Sequence, residues 1–468
     1  MRPSDEVMWN IEVDPILRST VTAVALLDAP PDWDELSERV LDAVDLLPRL
    51  RQRVVEPRTL LGSPSWVTER DLDLAHHLRR VGLPRPATLR EVLDLAGQLA
   101  MEPFDVSLPL WQITLVEGLA DGSAALIQKF HHAIMDGEGA IALERLLLDG
   151  GDEDGRRAEA RRRRAAPVEG PEPSSPTIGG ALLEVGRAGW DAFDHAAQVP
   201  GTIARLALGG VRHPVRTFDD GWRLAGSIGR AVAPVPESSS PLLQGRGLTR
   251  RFDTIDVLLE DLRAAGHAAG GTVNDAFLAA VVGGLTRYHL AHGVTVPELH
   301  LTMPVSVRAA SDDLEGNRFA PVRFSVPTDI GDPAERITHL SELALGWKHE
   351  PFLQHTDAIA TVLARLPKPV TASLFGGMLK HVDAVATNVT GLTEPAHLAG
   401  ARIVRAYAFA PPTGAALNIS LLSHLDRACI GVVLDTTAVP DDACLLDSLV
   451  GGFDEVISIA DHHARRTG

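Results

Sequence analysis

The chain holds 468 residues, 45% hydrophobic and 23% charged, with a formal net charge of −18. A chain this long buries a sizeable core without disulfides or metals, in two or three domains. Its negative field excludes nucleic acid as a partner, yet leaves room for a phosphorylated ligand held by a few placed cations.

Met1 to Asp14 is polar and acidic. It lacks the charged and then apolar stretches of a signal peptide, and no apolar run in the chain approaches the roughly 18–20 residues of a membrane span. The 2 cysteines, Cys429 and Cys444, form no CxxC pair and no ligand cluster. They read as small buried hydrophobes of a reduced protein. The expected location is cytoplasmic, with at most peripheral contact with the inner face of the plasma membrane or with lipid droplets.

Thr20 to Leu27 is apolar and β-branched, so it reads as a strand. Leu36, Val40, Ala43, Val44 and Leu47 recur at helical spacing across Trp33 to Leu47. Trp111 to Val116 and Ala124 to Phe130 read as strands, and Glu138 to Leu148 returns to helical spacing. From Gly150 to Pro176 the composition breaks into acidic residues, an arginine run (Arg161 to Arg164) and prolines with serines, the pattern of an exposed linker. Ile178 to Val232 carries apolar residues and Trp190 and Trp222 at helical intervals, a helical connector or a membrane-surface helix.

After the connector, Asp256 to Gly266, Asn274 to His292 and Ala334 to Leu345 read as helices. His300 to Val305, Ala320 to Val326, Ala401 to Ala408, Ala416 to Ser423 and Ala428 to Val433 read as strands, and Asp441 to Ala460 as a closing helix. The coarse picture is two α/β halves joined by a long linker. Residues 1–150 form the first half, 151–249 the linker and connector, and 250–468 the second half.

The sharpest feature is His131-His132-Ala133-Ile134-Met135-Asp136-Gly137, at the end of one strand and before a helix. Histidine titrates near neutral pH and can take a proton from an alcohol. Alternation along the strand end points His131 and His132 to opposite sides, so one faces a channel while the other anchors inside. Asp136 braces the turn and Gly137 permits it to be tight. Histidines that point apart cannot chelate one ion, and no metal is expected. No Gly-x-Ser-x-Gly elbow offers a serine nucleophile.

These residues carry a specific resemblance. The chain resembles the bacterial wax ester synthase/diacylglycerol acyltransferase family, within the wider group of chloramphenicol acetyltransferase, carnitine acyltransferases and peptide-synthetase condensation domains. The His-His-x-x-x-Asp-Gly pattern marks that group. Pro109-Leu110-Trp111, Thr272-Val273-Asn274-Asp275, Pro304 to Arg308 with Gly316 to Phe319, Leu417 to Ser423, and Ser4-Asp5 with Glu12 narrow it to the lipid family. Two departures bear on acceptor choice. Thr387-Asn388-Val389-Thr390-Gly391 lacks two prolines found in the family's Ser-Asn-Val-Pro-Gly-Pro, and Arg18-Ser19-Thr20 stands where many members carry His-Met.

The resemblance implies an α/β (α+β) fold of two chloramphenicol-acetyltransferase-like halves with a channel between them. It implies that His132 is the general base, held by His131 and Asp136, and that Asn274 and Asp275 support the site from the second half. Pro109, Leu110, Trp111, Asn388 and Ser420 are candidate substrate-binding or oxyanion-facing residues. No cofactor is expected, acyl-CoA being the co-substrate and diacylglycerol or a fatty alcohol the acceptor. A condensation-type enzyme using carrier-bound or polyketide substrates is the alternative within the same chemistry, and a non-catalytic lipid-binding protein is the alternative outside it.

Overall fold

The computed structural model describes residues 1–57, 62–84, 86–150, 153–165, 238–306, 319–348, 353 and 356–467. The connector expected at Ile178 to Val232 and the stretch from Val307 to Arg318 lie outside the described residues.

The strands, in chain order, are β1 (Thr20–Leu27), β2 (Gln52–Val55), β3 (Ser65–Thr68), β4 (Leu78–Gly82), β5 (Trp111–Glu117), β6 (Ala124–His131), β7 (Arg250–Leu258), β8 (Glu298–Ser306), β9 (Phe319–Pro327), β10 (Ala384–Thr390), β11 (His397–Leu398), β12 (Ala401–Phe409), β13 (Leu417–His424) and β14 (Arg427–Asp435). They form two 6-stranded sheets, ordered β11-β12-β1-β6-β5-β4 and β7-β14-β13-β10-β8-β9, plus the small pair β2-β3. The α/β expectation is met. Both sheets are mixed, with parallel pairs at β4–β5, β10–β13 and β10–β8.

The halves interlock. β12 belongs by position to the second half but pairs antiparallel with β1, with Ala23 opposite Ala408 and Leu27 opposite Ile403. β14 passes close behind it: a Cβ on Gly431 would lie 2.1 Å from the Ala408 carbonyl oxygen, so only glycine fits there. The Tyr407 hydroxyl donates to Asp256 Oδ2 at 2.7 Å, tying β12 to β7.

β6 is buried along its whole length, which explains why its apolar residues do not alternate with polar ones and why even Gln128 and Lys129 are covered. Helix Trp33–Leu46 starts at Asp32, whose side chain accepts the Glu35 N–H, and buries the predicted stripe of Leu36, Val40, Ala43 and Val44. Helix Val273–Ala291 is buried nearly all round and forms the centre of the second half's core.

Three expectations are corrected. Residues 256–258 finish strand β7, paired with β14, and the helix begins only at Leu259. The edge of the linker is structured: Glu153–Ala165 is a helix lying on Trp33–Leu46, with Arg157 paired to Glu35 and Arg164 to Asp42 at 3.2 Å. The arginine run therefore has carboxylate partners, not only solvent. Cys444 is only partly covered, whereas Cys429 is buried as expected.

Among the described residues, no single helix is long and apolar enough to cross a membrane.

Candidate active site

The His-His turn is suspended between two strands. His131 ends β6 opposite Thr20 of β1. Its N–H donates to the Leu110 carbonyl at 3.0 Å, and the next N–H, of His132, donates to the Ser19 carbonyl at 2.9 Å. Backbone on either side thus fixes the turn before any side chain acts.

The two histidines have different surroundings. The His131 ring is 1% exposed, and its Nδ1 accepts the Ala133 N–H at 3.0 Å. The neutral ring therefore carries its proton on Nε2. That atom faces Glu12 Oε1 at 3.2 Å, close but not aligned as a hydrogen bond. The same Glu12 oxygen accepts the Ser19 N–H at 2.7 Å and the Ser19 hydroxyl at 2.9 Å. Burial alone would raise the Glu12 carboxyl, but the facing His131 and the Ser19 bonds outweigh it and hold it at about 2. Glu12 is thus a fixed anion that grips His131 with its side chain and, through Ser19, the backbone of His132. Trp9 and Phe104 flank the His131 ring at 5.5 and 6.2 Å between centroids. His132 is only half-buried, so it is the more open member of the pair.

Asp136 is buried and caps helix Gly137–Leu147, its Oδ1 accepting the Gly139 N–H at 3.1 Å. Its bond to the helix fixes where the turn ends. Gly137 then meets the second half: a Cβ built there would touch Val389 of β10 at 3.4 Å. The motif's exit thus abuts the strand that carries Asn388.

The second-half residues divide. Asn274 lies in the first turn of helix Val273–Ala291 and its Oδ1 accepts from Asn388 Nδ2 at 3.4 Å, while its own Nδ2 lies 3.7 Å from Met303 Sδ. Asp275 faces the other way. It closes a capping box, its Oδ2 accepting the Thr272 N–H and hydroxyl, each at 2.8 Å. The cap itself is Thr272, not the Asn-Asp pair. Ser420 is buried on β13; its hydroxyl donates to Asn418 Oδ1 at 2.8 Å and accepts from the Ala410 N–H at 3.4 Å.

Pro109, Leu110 and Trp111 act as structure. Trp111 is 1% exposed, donates from Nε1 to the Leu50 carbonyl at 2.7 Å and stacks on His77 at 4.4 Å. Leu110 supplies the carbonyl that receives His131, so this segment reaches the histidine turn through the backbone.

Sequence reasoning missed Lys129. It is 2% exposed, donates to the Glu102 carbonyl at 2.8 Å and sits 4.4 Å over the Phe104 ring. Burial, aided by Arg18 and Arg79 and opposed by Glu102 and Glu12, pushes its ammonium down to about 8. A charged residue two places before His131, in a strand whose first four residues are apolar, was the available signal. Glu12 was noticed only through family resemblance. Its pairing with His131, 119 positions away by subtraction of the residue numbers, has no local mark.

A histidine turn at a strand end, anchored on one side and half-open on the other, between two interlocked mixed sheets, defines the class of two-sheet acyltransferases with the His-His-x-x-x-Asp-Gly motif. The comparisons narrow it. Residues 1–277 match the wax ester synthase/diacylglycerol acyltransferase catalytic domain, and residues 315–456 match the C-terminal domain of the same family. A putative diacylglycerol O-acyltransferase of Mycobacterium tuberculosis is 36% identical over 482 aligned residues, covering 99% of this chain and 93% of that one. Another from the same organism is 29% identical over 93% of this chain and 92% of its own length. Among solved structures, the wax ester synthase/diacylglycerol acyltransferase of Marinobacter aquaeolei VT8 superposes with a TM-score of 0.58 at 22% identity, over 95% of this chain and 96% of that one. The first condensation domain of the calcium-dependent antibiotic synthetase superposes at 0.62 with 15% identity, over 98% and 96%. The chain belongs to the wax ester synthase/diacylglycerol acyltransferase family, and it is an acyltransferase whose substrates are acyl-CoA and an acyl acceptor.

Proposed function

We propose that this chain moves a long-chain acyl group from acyl-CoA to the free hydroxyl of diacylglycerol, with long-chain alcohols as a second acceptor class, and that His132 is the base. The single observation that carries the role of His132 is the asymmetry of the pair. His131 is buried, with its ring against Ala133 and Glu12, while His132 has its backbone fixed and is only half-buried. Diacylglycerol is favoured because the relatives that span nearly the whole chain are named for it.

In the reaction, His132 Nε2 takes the proton of the acceptor hydroxyl as its oxygen attacks the thioester carbonyl. The C–O bond forms and the carbonyl oxygen gains the negative charge. On collapse the C–S bond breaks, and the imidazolium returns its proton to the departing thiolate, leaving ester and CoA thiol. No covalent acyl-enzyme is needed. We assign the Asn274–Asn388 amide pair as the oxyanion donor, a reading supported by the approach of the motif's exit to Val389, next to Asn388. Asp136 and Gly137 hold the turn. Such lipid acceptors call for contact with a membrane surface or lipid droplet, and a cytoplasmic, peripheral protein meets that need.

The test is CoA thiol release from palmitoyl-CoA with dipalmitoylglycerol and hexadecanol as parallel acceptors. Stimulation by dipalmitoylglycerol above hexadecanol is expected. Stimulation by neither, in folded protein, would overturn the lipid acceptors.

A further inference from the structure

Away from the histidine turn, two helices of the second half approach each other closely at glycines. A Cβ on Gly284 would lie 2.7 Å from Leu449 Cα, and one on Gly452 would lie 2.3 Å from the Ala280 carbonyl oxygen. Helices Val273–Ala291 and Asp442–Thr467 therefore run antiparallel in backbone contact. The end of the first is brought against the start of the second. There His292, the C-cap of the first helix, meets Asp441 and Cys444 of the second.

The tautomer of His292 is fixed by its own helix. Nδ1 lies 2.9 Å from the Tyr288 carbonyl. A carbonyl only accepts, so Nδ1 carries the proton and the neutral ring presents a lone pair at Nε2. The Tyr288 ring, 4.5 Å away between centroids, packs on the imidazole and limits its rotation. Nε2 faces Asp441 Oδ2 at 3.3 Å. A lone pair and a carboxylate oxygen at that distance need a positive charge between them. Either a second ring proton or a metal ion supplies it. The third group argues for the metal: one ligand atom from each of His292, Asp441 and Cys444 lies within 4.8 Å of the others. Asp441 is itself held, its Oδ1 accepting the Cys444 N–H at 3.2 Å.

We propose that His292, Asp441 and Cys444 form a binding site for a zinc-class divalent ion, which clips the end of one helix to the start of the other. One imidazole nitrogen, one carboxylate oxygen and one thiolate are a zinc ligand set, with water in the fourth position of a tetrahedron. The Nδ1–H to carbonyl bond is the support that metal-bound histidines use. None of the three residues belongs to an acyltransferase motif, and the role of the site is to hold the helices together rather than to act on substrate.

The test uses the untagged full chain, stripped with chelator and titrated with Co2+ and then Zn2+. One equivalent of Co2+ should give the near-ultraviolet thiolate-to-metal band, Zn2+ should displace it, and either ion should raise the unfolding temperature. Cys444→Ser should abolish the band and weaken binding at least tenfold, His292→Ala should weaken binding by a similar factor, and Cys429→Ser should change nothing. Circular dichroism checks the folding of each variant. Absence of stoichiometric binding, or binding that survives both Cys444→Ser and His292→Ala, would overturn the site and leave His292–Asp441 as a simple ion pair.

Discussion

The two halves contribute to the site in contrasting ways. The first half grips the histidine turn with short, charge-assisted contacts: one Glu12 oxygen receives both Ser19 donors at 2.7 and 2.9 Å and faces His131 at 3.2 Å. The second half brings Asn274 and Asn388 together at 3.4 Å, with Asn274 otherwise leaning on a sulfur at 3.7 Å. The difference is one of kind: the contacts of the first half are short and centre on a carboxylate, while those of the second are longer and between neutral groups.

Glu12→Gln should break this contrast most strongly. It removes the anion that holds both flanks of His132, and turnover should fall roughly 10- to 100-fold with KM little changed, because a small misplacement of the base is costly. The same carboxyl carries a pH signature. Its folded pKa, about 2, lies below the ordinary 4.5. Its stabilisation is therefore fully present above pH 4.5 and is lost as pH falls towards 2, an effect on the order of 3 kcal/mol at most. Urea unfolding should show the native chain more stable than Glu12→Gln at pH 6, and the gap shrinking at pH 3.

A smaller effect is expected in the second half. Asn388→Ala should lower turnover about 3- to 30-fold, the loss of one neutral donor to a developing charge, and should shift the ratio of diacylglycerol to alcohol acylation. Steady-state rates with the two acceptors measure both. An unchanged rate and ratio would separate Asn388 from the oxyanion.

Ser420→Ala should matter least to catalysis. Its hydroxyl is spent on Asn418 and Ala410, so the cost should appear as about 1 kcal/mol of stability while turnover stays within about twofold. Thermal unfolding and rate measurements on one preparation read both. A large loss of rate at full stability would bring Ser420 back into the site.

Much of this was legible in the sequence because local patterns sufficed. The helical stripe from Leu36 to Leu47, the apolar start of β6 and the turn at Asp136-Gly137 each follow from near neighbours. What escaped depended on distance along the chain. β12 has the composition of any strand, and nothing local says that it leaves its own half to pair with β1. Asp256 to Leu258 read as helix because the strand they end is recognised only from its pairing with β14. The division between Asn274 and Asp275 was hidden for a different reason. Adjacent residues on a helix point apart, and only the geometry of Thr272 decides which of them is consumed by the cap. Glu12 and Lys129 gain their meaning from partners that folding brings in.

The central claim, that His132 is the base while His131 is an anchor, is tested most directly by pairing turnover with stability in His132→Ala and His131→Ala. His132→Ala should keep a near-native unfolding midpoint and lose roughly 10²–10⁴-fold in CoA thiol release. His131→Ala should lose stability as well as rate, since it leaves the half-buried Glu12 carboxylate facing an empty space in place of the imidazole. Near-normal thiol release by well-folded His132→Ala would contradict the account.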